Sequence, residues 1–143
     1  MEDTLISVFV YGTLKPDECN YRRYCLGKVV QERPACALGQ LFDLPFGYPA
    51  MTVGEDWVSG VILSFGNPSV IEDLDRLEDY QPHRPVDQNE YQRQRIQTYT
   101  PDRQLLEVAW VYVMNPAKIQ EYRGIYLPDG NWSSELRIYS SDA

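Results

Sequence analysis

The stretch CALGQLFDLPFGYPAMTVGEDWVSGVILSF, residues Cys36–Phe65, decides the fold class. It holds three short β-type runs: Cys36–Leu44, Pro49–Val53 and Trp57–Phe65. Pro45, Gly47, Pro49 and Gly54 punctuate them. Gly39 and Gly60 fall inside two of the runs. Glycine within a strand marks a bulge or a tight bend, so the sheet is expected to curl.

Upstream, Leu5–Tyr11 is nearly continuous apolar sequence, which suits a strand buried on both faces. It runs straight into Gly12-Thr13-Leu14. Pro16–Leu26 has proline early and Gly27 after its end, and is expected to form a short helix. Downstream, Asn67 and Pro68 make a helix start, so Pro68–Asp79 is predicted helical. A polar loop, Gln81–Glu90, leads to strand candidates Tyr91–Thr100 and Leu105–Val113. The first is largely polar, as an edge or half-wet strand would be. Pro128-Asp129-Gly130 reads as a turn. The tail from about residue 133 to 143 is polar and expected to fray. The order of elements predicts one mixed α+β domain over residues 1–143, with a curled or barrel-like sheet and a few flanking helices. Too few helices separate the strands for a regular βαβ array.

The charge balance narrows the partners. Thirteen Lys and Arg against 21 Asp and Glu leave a net charge of −8 over 143 residues. That balance repels phosphate backbones and anionic lipid, so neither nucleic acid nor a membrane is an expected partner. No apolar run approaches the roughly 18 residues of a membrane helix. The cysteines number three, Cys19, Cys25 and Cys36. The odd count, with no signal-peptide pattern, argues for a reducing cytoplasm. Their spacing is unlike the close pairs of zinc sites, and His83 is the only histidine, so no metal site is expected. They read as small packing residues.

One carboxylate is out of place. On a wheel of about 100° per residue, Val70, Ile71, Leu74 and Leu77 form an apolar stripe. Glu72, Asp75, Arg76 and Asp79 fall on the opposite side, and Asp73 on the margin. Glu78 falls between Leu74 and Ile71, inside the stripe. Burial there would raise its pKa, and so would the negative end of the helix dipole. Both push a glutamate toward the near-neutral pKa of a general acid/base. A helix ending by Leu77, or a pairing of Glu78 with an arginine such as Arg93, would leave it a structural residue instead.

Taken in order, VFVYGTL, GQLFDLPFGYPAM, WVSGVILSF, LDRLEDY with YQRQRI, and WVYV resemble the gamma-glutamylcyclotransferase-like family. The resemblance runs from about Val8 to Val113. It implies a barrel-like sheet with flanking helices and a Tyr-Gly-Ser/Thr-Leu motif after the first strand. Here that motif is Tyr11-Gly12-Thr13-Leu14, whose backbone N–H groups would cradle a substrate α-carboxylate. Gly12, without a Cβ, would let the ligand approach closely. The resemblance makes Glu78 the catalytic acid/base. It makes Tyr91 and Tyr112 residues that orient the glutamate or substrate through their hydroxyls. The implied enzyme releases 5-oxoproline from a small γ-glutamyl amine or dipeptide, with no cofactor. One departure stands out: Asp79 follows Glu78 where the family usually has glycine. Two other classes stand beside the enzyme. One is a non-catalytic module binding a γ-glutamyl or amino-acid-like ligand. The other is a protein-interaction domain on the same fold, which a cavity filled by the Gln81–Glu90 loop would favour.

Overall fold

The computed structural model describes residues 5–135. The strands are β1 (Ile6–Val10), β2 (Val29–Asp43), β3 (Pro49–Phe65), β4 (Gln92–Tyr99), β5 (Leu105–Val113) and β6 (Ile125–Tyr126). The α-helices are α1 (Tyr21–Tyr24), α2 (Val70–Leu77) and α3 (Pro116–Glu121), with a short 3-10 turn at Val86–Gln88. The strands form one mixed sheet in the order β3-β1-β5-β4-β2-β6, and β3 also pairs with β2. The pairings therefore run round in a ring, β1–β3–β2–β4–β5 and back to β1. β1 and β5 are parallel; the other pairs are antiparallel. The predicted α+β class and curled sheet are those of the structure.

β1 is buried on both faces, as its continuous apolar sequence requires. Val8 and Val10 pack with Leu63, Phe65, Val70 and Leu74 under α2. Phe9 and Tyr11 point the other way, among Ala37, Leu41, Met51, Val58 and Ile62. Leu74 is fully buried, and covering a side chain of this size stabilises by about 1.5–3 kcal/mol. That anchor fixes α2, and with it the residue just past its end, against the end of β1.

Several boundaries differ from expectation. β2 begins at Val29 rather than near Cys36, and β3 runs without a break through Gly54. The register between them shifts beside Gly39, which pairs with Asp56 while Gln40 pairs with Thr52; the extra residues, Val53–Glu55, lie on β3 around Gly54 rather than at Gly39. Gly60 has a different role. It pairs in register with Ala35, and a Cβ on it would lie 2.3 Å from the Val10 carbonyl oxygen. Its small size lets the end of β1 approach β3. The Pro16–Leu26 helix shrinks to Tyr21–Tyr24, because the preceding residues form turns: Lys15 N–H to the Gly12 carbonyl, Glu18 N–H to Lys15. Gly27 has the left-handed φ of 83°, but α1 has already stopped at Tyr24, so the glycine is not what ends it. α3 was not foreseen, although Asn115 caps it with a side-chain oxygen 2.8 Å from the Ala117 N–H and Pro116 follows. The turn at Leu127–Gly130 forms as predicted, and delivers Trp132 into the core with its indole N–H donating to Asp43 at 2.8 Å. Of the polar tail, residues 136–143 lie outside the described residues. No described helix is long and apolar enough to cross a membrane.

Candidate active site

The end of β1, the β2–β3 connection and the C-terminal end of α2 meet around a cavity of about 480 Å³. All seven residues picked from the sequence line it: Tyr11, Gly12, Thr13, Leu14, Glu78, Tyr91 and Tyr112. The other walls include Phe46, Gly47, Tyr48 and Pro49 from the β2–β3 connection, and Glu90.

Tyr11–Leu14 leaves β1 in a turn closed by the Lys15 N–H donating to the Gly12 carbonyl at 3.0 Å. Asn20 braces the turn. Its N–H donates to the Thr13 carbonyl at 2.8 Å, and its side-chain amide donates to the Thr13 hydroxyl at 2.8 Å. Among the described residues the N–H groups of Thr13 and Leu14 donate to nothing, which suits them to an anion. Gly12 itself does not have the left-handed φ of a strained turn. A Cβ there would lie 2.6 Å from the Pro49 ring. The glycine is thus required by Pro49 packed against it, a reason the sequence reading did not contain.

Glu78 is the residue at which α2 stops. Its N–H donates to the Leu74 carbonyl at 2.9 Å, and the helix proper ends at Leu77. Its carboxyl nevertheless enters the cavity, where it makes no ion pair and no hydrogen bond among the described residues. Arg93 pairs with Asp75 instead, at 2.9 Å. Burial, and secondarily the charge of Glu90, push the Glu78 carboxyl up to about 8. It is therefore a group that can both take and give a proton near neutral pH.

The next residue closes the helix. Asp79 lies at φ 53°, and the Tyr80 N–H reaches back to the Asp75 carbonyl at 2.9 Å. This is a Schellman-type ending, whose left-handed position favours glycine. Aspartate is held there by Arg84, which donates to both the Asp79 carbonyl at 2.7 Å and its carboxylate at 3.1 Å. The backbone conformation explains a glycine at this position, and Arg84 explains how an aspartate replaces it. Asp79→Gly is expected to stabilise by about 0.5–1 kcal/mol, since the exposed pair it removes is worth little. A thermal melt should show a rise of roughly 2–4 °C.

The tyrosines form a frame around Glu78 rather than bonding to it. The Tyr11 hydroxyl donates to the Tyr112 carbonyl at 2.5 Å and accepts from the Met51 N–H at 3.2 Å. Tyr91 donates to the Pro49 carbonyl at 2.6 Å, and Tyr112 to Asp75 at 2.7 Å. Burial, more than the neighbouring charges, pushes all three hydroxyls up, so they stay protonated. Each hydroxyl has one proton, and in all three it is committed away from Glu78.

Sequence reasoning missed two residues. Asp75, placed on the outer face by the wheel, is half-buried and holds both Tyr112 and Arg93. Glu90 lines the cavity, with its two oxygens accepting from Tyr48 at 2.9 Å and Tyr122 at 2.8 Å. Of the loop Gln81–Glu90, only Glu90 lines the cavity. The buried Asn89 folds the rest on itself, accepting from the Gln81 N–H at 3.0 Å and from Arg84 at 2.7 Å.

The chain is similar to known proteins in fold and in family. No curated protein matches the sequence. Among solved structures, YkqA from Bacillus subtilis superposes with a TM-score of 0.66 at 23% identity, covering 96% of this chain but only 43% of YkqA. An AIG2-like protein from mouse superposes at 0.68 with 20% identity, covering 92% of this chain and 90% of that one. A gamma-glutamyl cyclotransferase gives 0.58 at 14% identity, covering 87% and 69%. These likenesses share the fold. The description "Gamma-glutamyl cyclotransferase, AIG2-like" fits residues 8–134, from β1 through the buried Trp132, and the chain belongs to that family.

Proposed function

We propose that the protein is a gamma-glutamyl cyclotransferase-type enzyme that releases 5-oxoproline from a small γ-glutamyl amine or dipeptide. One observation carries this reading: an unpaired, protonatable Glu78 carboxyl shares a cavity with a turn that offers free backbone N–H groups.

The substrate's α-carboxylate binds the N–H groups of Thr13 and Leu14, which needs no basic side chain. Its α-ammonium then faces Glu78. Glu78 takes a proton, and the freed amine attacks the γ-carbonyl carbon. The C–N bond of a five-membered lactam forms as the carbonyl oxygen takes up the negative charge. When the oxyanion collapses, the bond to the leaving nitrogen breaks. The nucleophile loses two protons in all, and the leaving amine gains two to depart as an ammonium ion. Glu78 carries them between the two nitrogens. The tyrosine frame holds the walls rigid, so the amine and carbonyl stay aligned.

The test is mass-spectrometric detection of 5-oxoproline across a panel of γ-glutamyl amines and amino acids. Release of 5-oxoproline with an equal amount of amine is expected. A folded protein that binds members of the panel but converts none would instead be a binding module.

A further inference from the structure

We infer that Asp75 is a positioning residue: it draws the Tyr112 hydroxyl and the Arg93 guanidinium away from Glu78, and so keeps the Glu78 carboxyl bare. This role deepens the reaction proposed above and rests on it for its catalytic consequence.

Asp75 and Glu78 sit three residues apart at the end of α2. Side chains at that spacing are neighbours, about 5–6 Å apart at Cβ. A donor that reaches one carboxylate is therefore placed to reach the other. Two donors reach Asp75. The Tyr112 hydroxyl donates to its Oδ1 at 2.7 Å, and the Arg93 guanidinium pairs with the same oxygen at 2.9 Å. The two donors are cross-strand partners on β4 and β5. Arg93 is held further by aromatic rings, 4.5 Å from the centre of Trp110 and 5.4 Å from that of Tyr80. The ion pair is largely shielded from water, its side chains 18% and 15% exposed.

The other groups around Glu78 are committed already. Tyr11 donates to the Tyr112 carbonyl, Tyr91 to the Pro49 carbonyl and Tyr48 to Glu90. Asp79 and Glu90 add only negative charge, Asp79 is tied to Arg84, and the Cys19 thiol is at most a weak donor. No Lys, Arg or His lines the cavity among the described residues. Tyr112 and Arg93 are thus the donors whose destination decides the state of Glu78. A carboxylate that accepted from Tyr112, or paired with Arg93, would be held in its charged form. It would then take no proton from an ammonium group near neutral pH. In Leu74-Asp75-Arg76-Leu77-Glu78 the first acid takes the donors, and the second faces the cavity without one.

The experiment follows the Glu78 carboxyl by carbon-13 NMR in protein labelled at the glutamate side-chain carboxyls, its signal assigned by its absence in Glu78→Gln. The parent signal should titrate with a midpoint of about 8. In Asp75→Ala the midpoint should fall by at least about one pH unit, as the freed donors turn to Glu78. Adding Arg93→Met and Tyr112→Phe to that variant removes the donors too, and should bring the midpoint back to within about half a unit of the parent's. One charge of each sign is then lost, so the field at Glu78 changes little. Asp75→Asn keeps the shape and an acceptor without the charge; it should lower the midpoint by less, and decides the matter if Asp75→Ala does not fold. An unchanged midpoint in the Asp75 variants, a fall that persists in the triple variant, or a parent midpoint at the ordinary carboxylate value would each overturn the inference. The rising limb of kcat/KM in Asp75→Asn should move down with its NMR midpoint, and a limb that stays put would remove Asp75 from the mechanism. A parent that releases no 5-oxoproline fails the proposed reaction, while the NMR midpoints still decide what Asp75 does to Glu78.

Discussion

Glu78→Gln should slow 5-oxoproline release at least about 100-fold, the lower end of what a positioned acid/base contributes. Glutamine keeps the shape and a polar tip but cannot exchange protons. The parent's kcat/KM should climb with pH and level off above about 8, as the Glu78 carboxylate forms. The residual rate of the variant should not show that limb. Stability gives a second readout of opposite sign. The folded protein binds the Glu78 proton more tightly than the unfolded chain, whose carboxyl titrates near its ordinary value. Between about 4.5 and about 8 the folded state therefore holds more proton, and stability falls as pH rises through that window. In Glu78→Gln this loss is absent, so its melting temperature at pH 8 should equal or exceed the parent's. A variant that melts normally yet turns over at the parental rate would remove Glu78 from the mechanism.

The position of that residue was legible because its signal is local. Glu78 follows an apolar stripe at helical spacing, and Leu74 anchors the stripe on the sheet whether the helix stops at Leu77 or at Asp79. The Tyr11–Leu14 turn was legible for the same reason, since a buried strand with both faces covered must end where the sequence turns to Gly12 and Thr13. The beginning of β2 was not. Gln31 and Glu32 are exposed, Arg33 is half-buried against Glu107, and Pro34 reads as a break. Proline is tolerated here because the strand has β3 on one side, while its pairing with β4 is confined to Cys36 and Ala37. Glu90 was not legible for a further reason. It belongs to a polar loop, and only tertiary contact with Tyr48 and Tyr122, one in the β2–β3 connection and one after α3, sets its carboxylate against the cavity. Asp75 was hidden likewise. The wheel treats the far side of a helix as solvent, but Tyr112 from β5 and Arg93 from β4 reach round to it. Helix periodicity reports what a helix buries on one side and is silent about what approaches from the other.

Acetylating the substrate's α-amine should abolish the reaction altogether, and this separates cyclisation from its nearest chemical rival. Glu78 could equally serve a hydrolase, taking a proton from water rather than from an amine, and Glu78→Gln would disable both. The two differ in the nucleophile. In cyclisation the nucleophile is part of the substrate, and holding it against the carbonyl is worth an effective concentration of about 10⁵–10⁸ M. An N-acetyl group delocalises that nitrogen's lone pair into an amide, leaving nothing to attack. The α-carboxylate remains, so the acetylated compound should still bind and compete with the substrate. A hydrolase would be indifferent to the change, and would release the amine together with N-acetylglutamate. An α-linked glutamyl dipeptide supplies the complementary control. Its free amine can still fold toward the side-chain carbonyl, but no amide nitrogen is attached there to leave. Release of amine should therefore require both a free α-amine and a γ-linkage. Amine release from the acetylated compound would assign water, not the substrate's own nitrogen, to the carbonyl facing Glu78.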